Sequence, residues 1–176
     1  MAKGQNDDLD EKLYTAFWSK LQQAKFDIVY YSLHFNRYVV VSRVIRYMII
    51  GATSLATGTW MTWNGIPIIR KICSIAILIL QAISAVSEWF PYESRKTELS
   101  EMLAELEPLY INMENDWRSI YGLKMSNPKI QEAIQSYDKR QADIKRHYFK
   151  NDALPEIEKL RIKADEKTEE YFKFFK

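Results

Sequence analysis

Four polar residues in an otherwise apolar segment have the spacing and the chemistry to line a water-filled path. Their separations of 7, 3 and 4 residues place them on one stripe of an α-helix. They are Ser74, Gln81, Ser84 and Glu88. An amide or carboxylate at membrane depth is costly unless it is paired or hydrated, so the stripe is typical of a pore wall built from several copies. Hydrogen bonding between membrane helices is the alternative use, and the spacing fits both.

The stripe lies on the second of two uncharged runs that predict a transmembrane hairpin over residues 47–90. The first run, 47–63, has seventeen residues and the second, 72–87, has sixteen. Each run covers roughly 24–26 Å as a helix, which is near the lower limit for a bilayer core about 30 Å thick. Residues 64–67 between them, NGIP, have the composition of a tight turn. The alternative is a buried helical hairpin in a soluble protein, but two adjacent apolar helices are harder to cover.

The first run is rich in small residues whose spacing permits close helix packing. Ser54 and Gly58 are four residues apart, and so are Ala52 and Ala56. We expect close packing within the hairpin or between copies at Gly51, Ala52, Ser54, Ala56 and Gly58. One hairpin alone cannot enclose a pore, so conduction would require a homo-oligomer.

Apolar residues on both sides of the hairpin recur with heptad spacing, which predicts helices that pair with each other. In the segment 1–46, the steps from Phe17 to Phe35 are 4, 3, 4, 3 and 4 residues. In the segment 91–176, a longer series of such steps defines a seam. We expect this seam to hold the stalk together or to join copies of the chain, and its residues are Leu99, Leu103, Leu106, Tyr110, Met113, Trp117 and Ile120. Because a tight turn returns the chain to the side it entered from, we predict an antiparallel cytosolic stalk.

The predicted fold class is therefore all-α, with a two-helix transmembrane hairpin above a cytosolic helical stalk or bundle. Residues 47–87 carry only Arg70 and Lys71 as charges, whereas residues 88–176 carry sixteen Lys/Arg and eighteen Asp/Glu. The chain has one cysteine, Cys73, which excludes a disulfide within the chain and fits a cytosolic or inner-membrane protein. With a net charge of +2 and no large basic cluster, the sequence does not favour binding to a nucleic-acid polymer.

The charges that flank the two runs predict the orientation of the hairpin. Three arginines precede the first run, and Arg95 and Lys96 follow the second. The segment between the runs has only two basic residues. This excess favours both termini in the cytoplasm of a bacterial cell, and predicts a multi-pass protein of the inner membrane. The three arginines are Arg37, Arg43 and Arg46.

The sequence contains no recognisable catalytic or metal-binding pattern. His34 and His147 lie in different predicted helices, whereas a metal site needs three or four converging ligands. Glycine-rich phosphate loops, nucleophile elbows and paired-cysteine motifs do not occur. The carboxylates follow charged helix faces, which is typical of a solvated surface. We therefore expect a protein that is not an enzyme and that uses no cofactor or metal.

Two segments carry a resemblance to a known family: YVVVSRVIRYMIIGATSLATGTWMTW and IPIIRKICSIAILILQAISAVSEWFPYESRKTELSEM. Together with the long heptad helix that follows, they resemble the SLATT family of two-span bacterial effectors in anti-phage systems. The resemblance implies assembly in the inner membrane and permeabilisation when infection is sensed, which arrests growth or kills the cell. It assigns no ligand-binding residues. A separate upstream sensor or nucleotide second-messenger system would supply the signal.

Three functions thus follow from the sequence, in order of expectation. The first is an oligomeric membrane effector that permeabilises or depolarises the bacterial inner membrane in response to a defence signal. The second is a non-conducting membrane anchor or scaffold whose cytosolic stalk recruits a partner protein. The third is a soluble all-α bundle.

Overall fold

The computed structural model describes residues 2–62, 71, 74–75, 78–79, 81–82, 92–122, 125–149 and 154–175. Within these ranges the protein is all-α, which confirms the all-α part of the predicted fold class. The helices with defined bounds are α1 (Ala2–Thr62), α2 (Tyr92–Tyr121), α3 (Asn127–Tyr148) and α4 (Glu158–Lys173).

The helices of the described ranges do not include one that combines the length and the hydropathy needed to cross a membrane. Most of the second predicted run, 72–87, lies outside the described residues, and so does the predicted turn at 64–67. The described positions between residues 71 and 82 are helical.

Helix α1 is unbroken over 61 residues. Residues 7–50 contain neither glycine nor proline, so nothing in this stretch interrupts the i→i−4 hydrogen bonds. The expected continuity of the helix into the first apolar run is confirmed.

The chain divides into two compact units, which we call the bundle and the apolar unit. The bundle comprises residues 1–34 and 98–176, and the apolar unit comprises residues 35–97. The boundaries therefore fall inside α1 and α2. The apolar unit begins earlier in α1 than the predicted limit at residue 46 and ends later in α2 than residue 91.

Within the bundle, α1 and α2 run antiparallel. Phe17 stacks on Trp117 with ring centroids 6.1 Å apart, whereas Lys25, two turns further along α1, lies over the ring of Tyr110. Residue numbers rise along α1 as they fall along α2, which is the arrangement expected for the stalk.

Helix α3 runs parallel to α1 in a fixed register. Lys20 pairs with Asp138 and Asp27 pairs with Lys145, and the separation along the chain is 118 residues in both pairs. Two ion pairs with the same offset, two turns apart on each helix, hold the two helices against a relative shift.

Helix α4 runs antiparallel to α1 and completes the bundle. Near its start, the backbone N–H of Ile157 donates to the hydroxyl of Tyr30 at 3.4 Å. Near its end, Phe172 packs on Trp18 with ring centroids 5.0 Å apart. The described part of the bundle is thus a four-helix arrangement in which successive helices reverse direction.

The predicted seam of α2 lies in the core of this bundle. Six of its residues are buried: Leu99, Leu103, Leu106, Tyr110, Met113 and Ile120. Trp117 is partly buried against Trp18, at 4.9 Å between ring centroids. Because the seam packs against other helices of its own chain, a contact between copies must use other residues.

The start of α3 differs by one residue from the prediction. Asparagine followed by proline predicts Asn127 as the N-cap and Pro128 as the first helical residue. In the structure Ser126 is the N-cap, and the backbone N–H of Ile130 donates to its carbonyl oxygen at 3.1 Å. Pro128 still lies in the first turn, where its missing N–H removes no helical hydrogen bond.

Candidate membrane-contact surface

Exposed large apolar side chains are concentrated in the apolar unit. Among the described residues, seven of twelve such side chains lie between residues 35 and 97, although the bundle supplies most of the described positions. The seven are Val40, Val44, Tyr47, Ile50, Ile75, Leu78 and Ile79. Grouped apolar side chains that stay exposed mark a surface for contact with lipid or with another protein.

The first part of this surface is a stripe on α1. Val40, Val44, Tyr47 and Gly51 follow in steps of 4, 3 and 4 residues, so they share one helix face. The three side chains are 56%, 48% and 65% exposed. A Cβ placed on Gly51 would meet no atom of the described chain within 4 Å. The described residues therefore do not make the close packing predicted at Gly51.

The second part of the surface comes from the described positions of the second apolar run. Ile75, Leu78, Ile79 and Ala82 are helical and exposed, with the spacing of one helix face. The pore-lining candidates Ser74 and Gln81 are helical and exposed as well. Ser84 and Glu88 lie outside the described residues.

The remaining small residues of the first run lie in the last turns of α1. Their backbone is helical, which agrees with a role in helix packing, but their side-chain surroundings lie outside the described part of the chain. They are Ala52, Ser54, Ala56 and Gly58.

Glu93 joins α1 to the start of α2 within the apolar unit. Its carboxylate accepts hydrogen bonds from the hydroxyl of Ser42 and the ammonium of Lys96, and it lies 3.4 Å from the guanidinium of Arg46. The hydrogen bonds from Lys96 and then from Ser42 lower the pKa of Glu93. The contacts are exposed and individually weak, but they fix the register of the two helices beside the apolar runs.

We expect this Glu93 junction to loosen at acidic pH. The pKa of Glu93 in the folded chain lies below its ordinary value of 4.5. The ionised carboxylate therefore stabilises the junction fully above pH 4.5, and this stabilisation is lost as the pH falls through the lowered pKa. Hydrogen exchange of the amides of residues 92–97 measures the effect at neutral pH and below pH 4.5, after correction for intrinsic rates. Glu93→Gln should exchange faster already at neutral pH. The exposed Glu132 of α3 provides the control Glu132→Gln, and equal exchange in the two variants would contradict the prediction.

A second polar cluster links α1 to α3 inside the bundle. Asp27 is only 7% exposed. One of its oxygens lies 2.5 Å from the ammonium of Lys145, and the other accepts a hydrogen bond from Gln23 at 3.0 Å. Both carboxylate oxygens are thus satisfied, as burial of a charge requires. This cluster is structural, since it satisfies a buried carboxylate and joins α1 to α3.

A third cluster fixes α4 to the bundle. The ammonium of Lys25 lies 3.7 Å from the ring centroid of Tyr171 and 4.9 Å from that of Tyr110, as in a cation–π contact. The hydroxyl of Tyr171 donates to Glu114 at 3.0 Å. Burial lowers the pKa of Lys25, and the charges of Glu114 and Glu107 oppose this shift. The aromatic rings and the acids together hold a half-buried cation between three helices.

In the described part of the bundle, the open grooves large enough for a small ligand include the following two. The larger, about 400 Å³, lies between α1 and α4 and includes Arg161, Asp165 and Glu169. The smaller, about 330 Å³, lies between α2 and α3 and includes Arg140 with two acids, Glu105 and Asp143. Each groove has two carboxylates for one guanidinium. That balance disfavours the phosphates of a nucleotide second messenger.

The described residues also show no arrangement suited to metal chemistry. Within the ranges described, no three His, Cys, Asp or Glu side chains are placed to hold a metal ion. His34 is buried, with its ring 4.6 Å from that of Tyr30. His147 lies on α3 beside Tyr148 and lines the smaller groove. The two histidines belong to separate surroundings, as their positions in different predicted helices indicated.

No protein-family model, no curated protein and no solved structure matches the chain. The resemblance to the SLATT family rests on the two quoted segments and the heptad helix, and its functional consequences are proposals.

Proposed function

We propose that this protein is a membrane effector without enzymatic activity, which oligomerises in the bacterial inner membrane and permeabilises or depolarises it on an upstream defence signal. The observation that carries the proposal is the group of exposed apolar side chains in residues 35–97, the unit that also contains both uncharged runs. Lipid would cover these side chains, and covering them is favourable in proportion to the apolar area removed from water.

The hairpin over residues 47–90, with both termini in the cytoplasm, belongs to this proposal. The first run begins inside α1, directly after a series of exposed apolar and basic residues. The second run has sixteen residues without a charge, and its described isoleucine and leucine side chains are exposed. Both features agree with helices that have lipid, rather than protein, as their surroundings.

The signal would reach the membrane through the helices themselves. Helices α1 and α2 each belong to both compact units, so a change of packing in the bundle can be passed to the ends of the apolar runs. The ligand would act by favouring one of two assemblies. Since both grooves of the bundle are acid-rich, the charge balance favours a protein sensor over a nucleotide as the partner that contacts residues 93–176.

The second candidate is a non-conducting anchor or scaffold that recruits a partner protein. It is favoured by the bundle, which buries its own seam and presents charged outer faces that could bind another protein. The exposed apolar side chains would serve an anchor equally well.

Membrane potential in bacteria that express the full chain tests the proposal. We expect loss of potential, measured with a voltage-sensitive dye, at high expression or on phage challenge. Leu78→Lys with Ile79→Lys should abolish it, because lysine is costly at membrane depth. The control is Ile162→Lys on α4, an exposed apolar residue of the bundle.

The same cells distinguish the membrane effector from the non-conducting anchor. A polarised cell with the chain in the membrane fraction, under both conditions, would favour the anchor over the effector. A chain that purifies without detergent would overturn both membrane functions.

A further inference from the structure

We propose that the exposed face of α1 around Val40 binds the headgroups of anionic phospholipids. The inference rests on the proposed membrane location and goes beyond it by naming the lipid class and the residues that select it. Its geometry comes from the apolar stripe already described and from the arginines beside it.

Two arginines flank the apolar stripe symmetrically. Arg37 precedes Val40 by three residues and Arg43 follows it by three, so on a helix they lie about 60° to either side of it. Both arginines are exposed, and Val40 is 56% exposed. An apolar stripe with a guanidinium on each side is the pattern by which a helix contacts the boundary between acyl chains and charged headgroups.

The charge of the whole apolar unit supports the same ligand. Residues 35–97 contain seven Lys/Arg and two Asp/Glu, a net charge of +5, which is still +3 without Arg70 and Lys71, the two basic residues that the proposed orientation places on the opposite side of the membrane. The rest of the chain contains eighteen Lys/Arg and twenty-one Asp/Glu, a net charge of −3. The overall value of +2 therefore hides a separation of charge between the two units. An anionic surface therefore attracts the apolar unit and repels the bundle.

Charge also decides between the occupants that could cover this face. A second copy at this face would place Arg37 and Arg43 of one chain close to the same two arginines of the other, which is unfavourable. A nucleic acid would satisfy the arginines but would leave the valines and Tyr47 uncovered. Anionic phospholipid satisfies both, because phosphate and acyl chain lie next to each other in one molecule. Guanidinium groups also pair well with phosphate oxygens.

Flotation of the cell-free-synthesised full chain with lipid vesicles tests the inference. The vesicles contain phosphatidylcholine alone or phosphatidylcholine with phosphatidylglycerol. We expect the chain to float mainly with the anionic vesicles, and less so at high salt. Arg37→Gln with Arg43→Gln should weaken the association with anionic vesicles by roughly 30-fold, and the preference should disappear.

The control variant removes the same charge from the bundle. Lys129 and Lys139 are exposed on α3 and line neither groove, so Lys129→Gln with Lys139→Gln should keep the lipid preference. Equal flotation with both vesicle types would overturn the inference and leave the proposed function standing. No flotation with either would overturn both. A preference that survives in Arg37→Gln with Arg43→Gln would overturn the assignment to this face.

A cysteine probe tests the competing occupant. In a Cys73→Ser background, Val40→Cys reports whether the stripe meets the same stripe of another copy. We expect little disulfide-linked dimer in anionic vesicles. Complete cross-linking would show that this face joins copies, and would overturn the assignment to lipid.

Discussion

Replacing Phe17 with alanine is expected to lower the free energy of unfolding of the bundle by about 3–5 kcal/mol. The side chain is 0% exposed and belongs to a core cluster with Ile120 and Ile130. Its ring stacks on Trp117 and meets the edge of Tyr137 at 6.3 Å between centroids. Alanine would lose the transfer free energy of the ring and leave a cavity where α1, α2 and α3 meet.

Chemical denaturation of the full chain in detergent, followed by far-UV circular dichroism, measures this loss. The matched control is Phe174→Ala, the same chemical change at a side chain that is 88% exposed. We expect the control to stay within about 0.5 kcal/mol of the unaltered chain. Similar losses for both variants would show that Phe17 is not part of the core.

The helices and the burial of the α2 seam are the features that the sequence predicts best. The seam has a regular period, and each helix of a bundle must bury one stripe, so periodicity and burial express the same requirement. Leu99 and Ile120, at the two ends of the seam, are both 0% exposed. Pro108 lies inside α2 without ending it. Burial of the seam on both sides of Pro108 outweighs the local cost of proline.

The face of α4 that contacts the core was less accessible to sequence reasoning. The periodicity predicts a face with Ala164, Thr168, Tyr171 and Phe175, preceded by Ile157 and Leu160. Ala164 and Thr168 are buried as predicted, but the buried ring is that of Phe172. Aromatic residues occupy most positions near the end of the chain, so hydropathy does not distinguish the buried ring. The choice depends on the neighbouring Trp18, which receives Phe172. That contact joins residues far apart in the chain.

The polar clusters at Asp27 and Lys25 could not be predicted from one sequence for a related reason. A buried charge is recognised by its partner, and the partner of Asp27 is 118 residues away. In the sequence of α1 alone, Asp27 and Lys25 look like ordinary charged residues on a solvent-exposed face. Once α3 is placed, the pairs Lys20–Asp138 and Asp27–Lys145 show the same separation along the chain. A search of the sequence for opposite charges that repeat at one fixed separation would include these pairs among its candidates.

The predicted polar stripe differs from these clusters because its partners would be other copies. Ser74 and Gln81 are exposed in the single chain. A pore wall is formed only when several chains assemble, so burial within one chain does not report on it. The basic and apolar residues around Val40 can likewise be read from the sequence. Only the structure shows that their side chains stay exposed and form a surface for contact.

The double variant Gln81→Leu with Ser84→Leu should abolish depolarisation while leaving assembly intact. Gln81 and Ser84 are three residues apart, and helical spacing places them on the stripe with Ser74. Leucine at both positions would remove the groups that can hydrate an ion, and an apolar constriction excludes water from a pore. Leucine also favours membrane insertion, so the variant should reach the membrane at least as well as the unaltered chain.

The dye assay measures the loss of potential, and gel filtration in detergent measures the assembly. Ala82 provides the control, because Ala82→Leu adds the same side chain on the apolar face with Ile75 and Ile79. An effector should lose depolarisation in the double variant and keep it in Ala82→Leu, with one oligomeric size throughout. If the double variant still depolarises the cell, these side chains do not line a pore. If its oligomer falls apart, they hold helices together, because leucine cannot replace their hydrogen bonds.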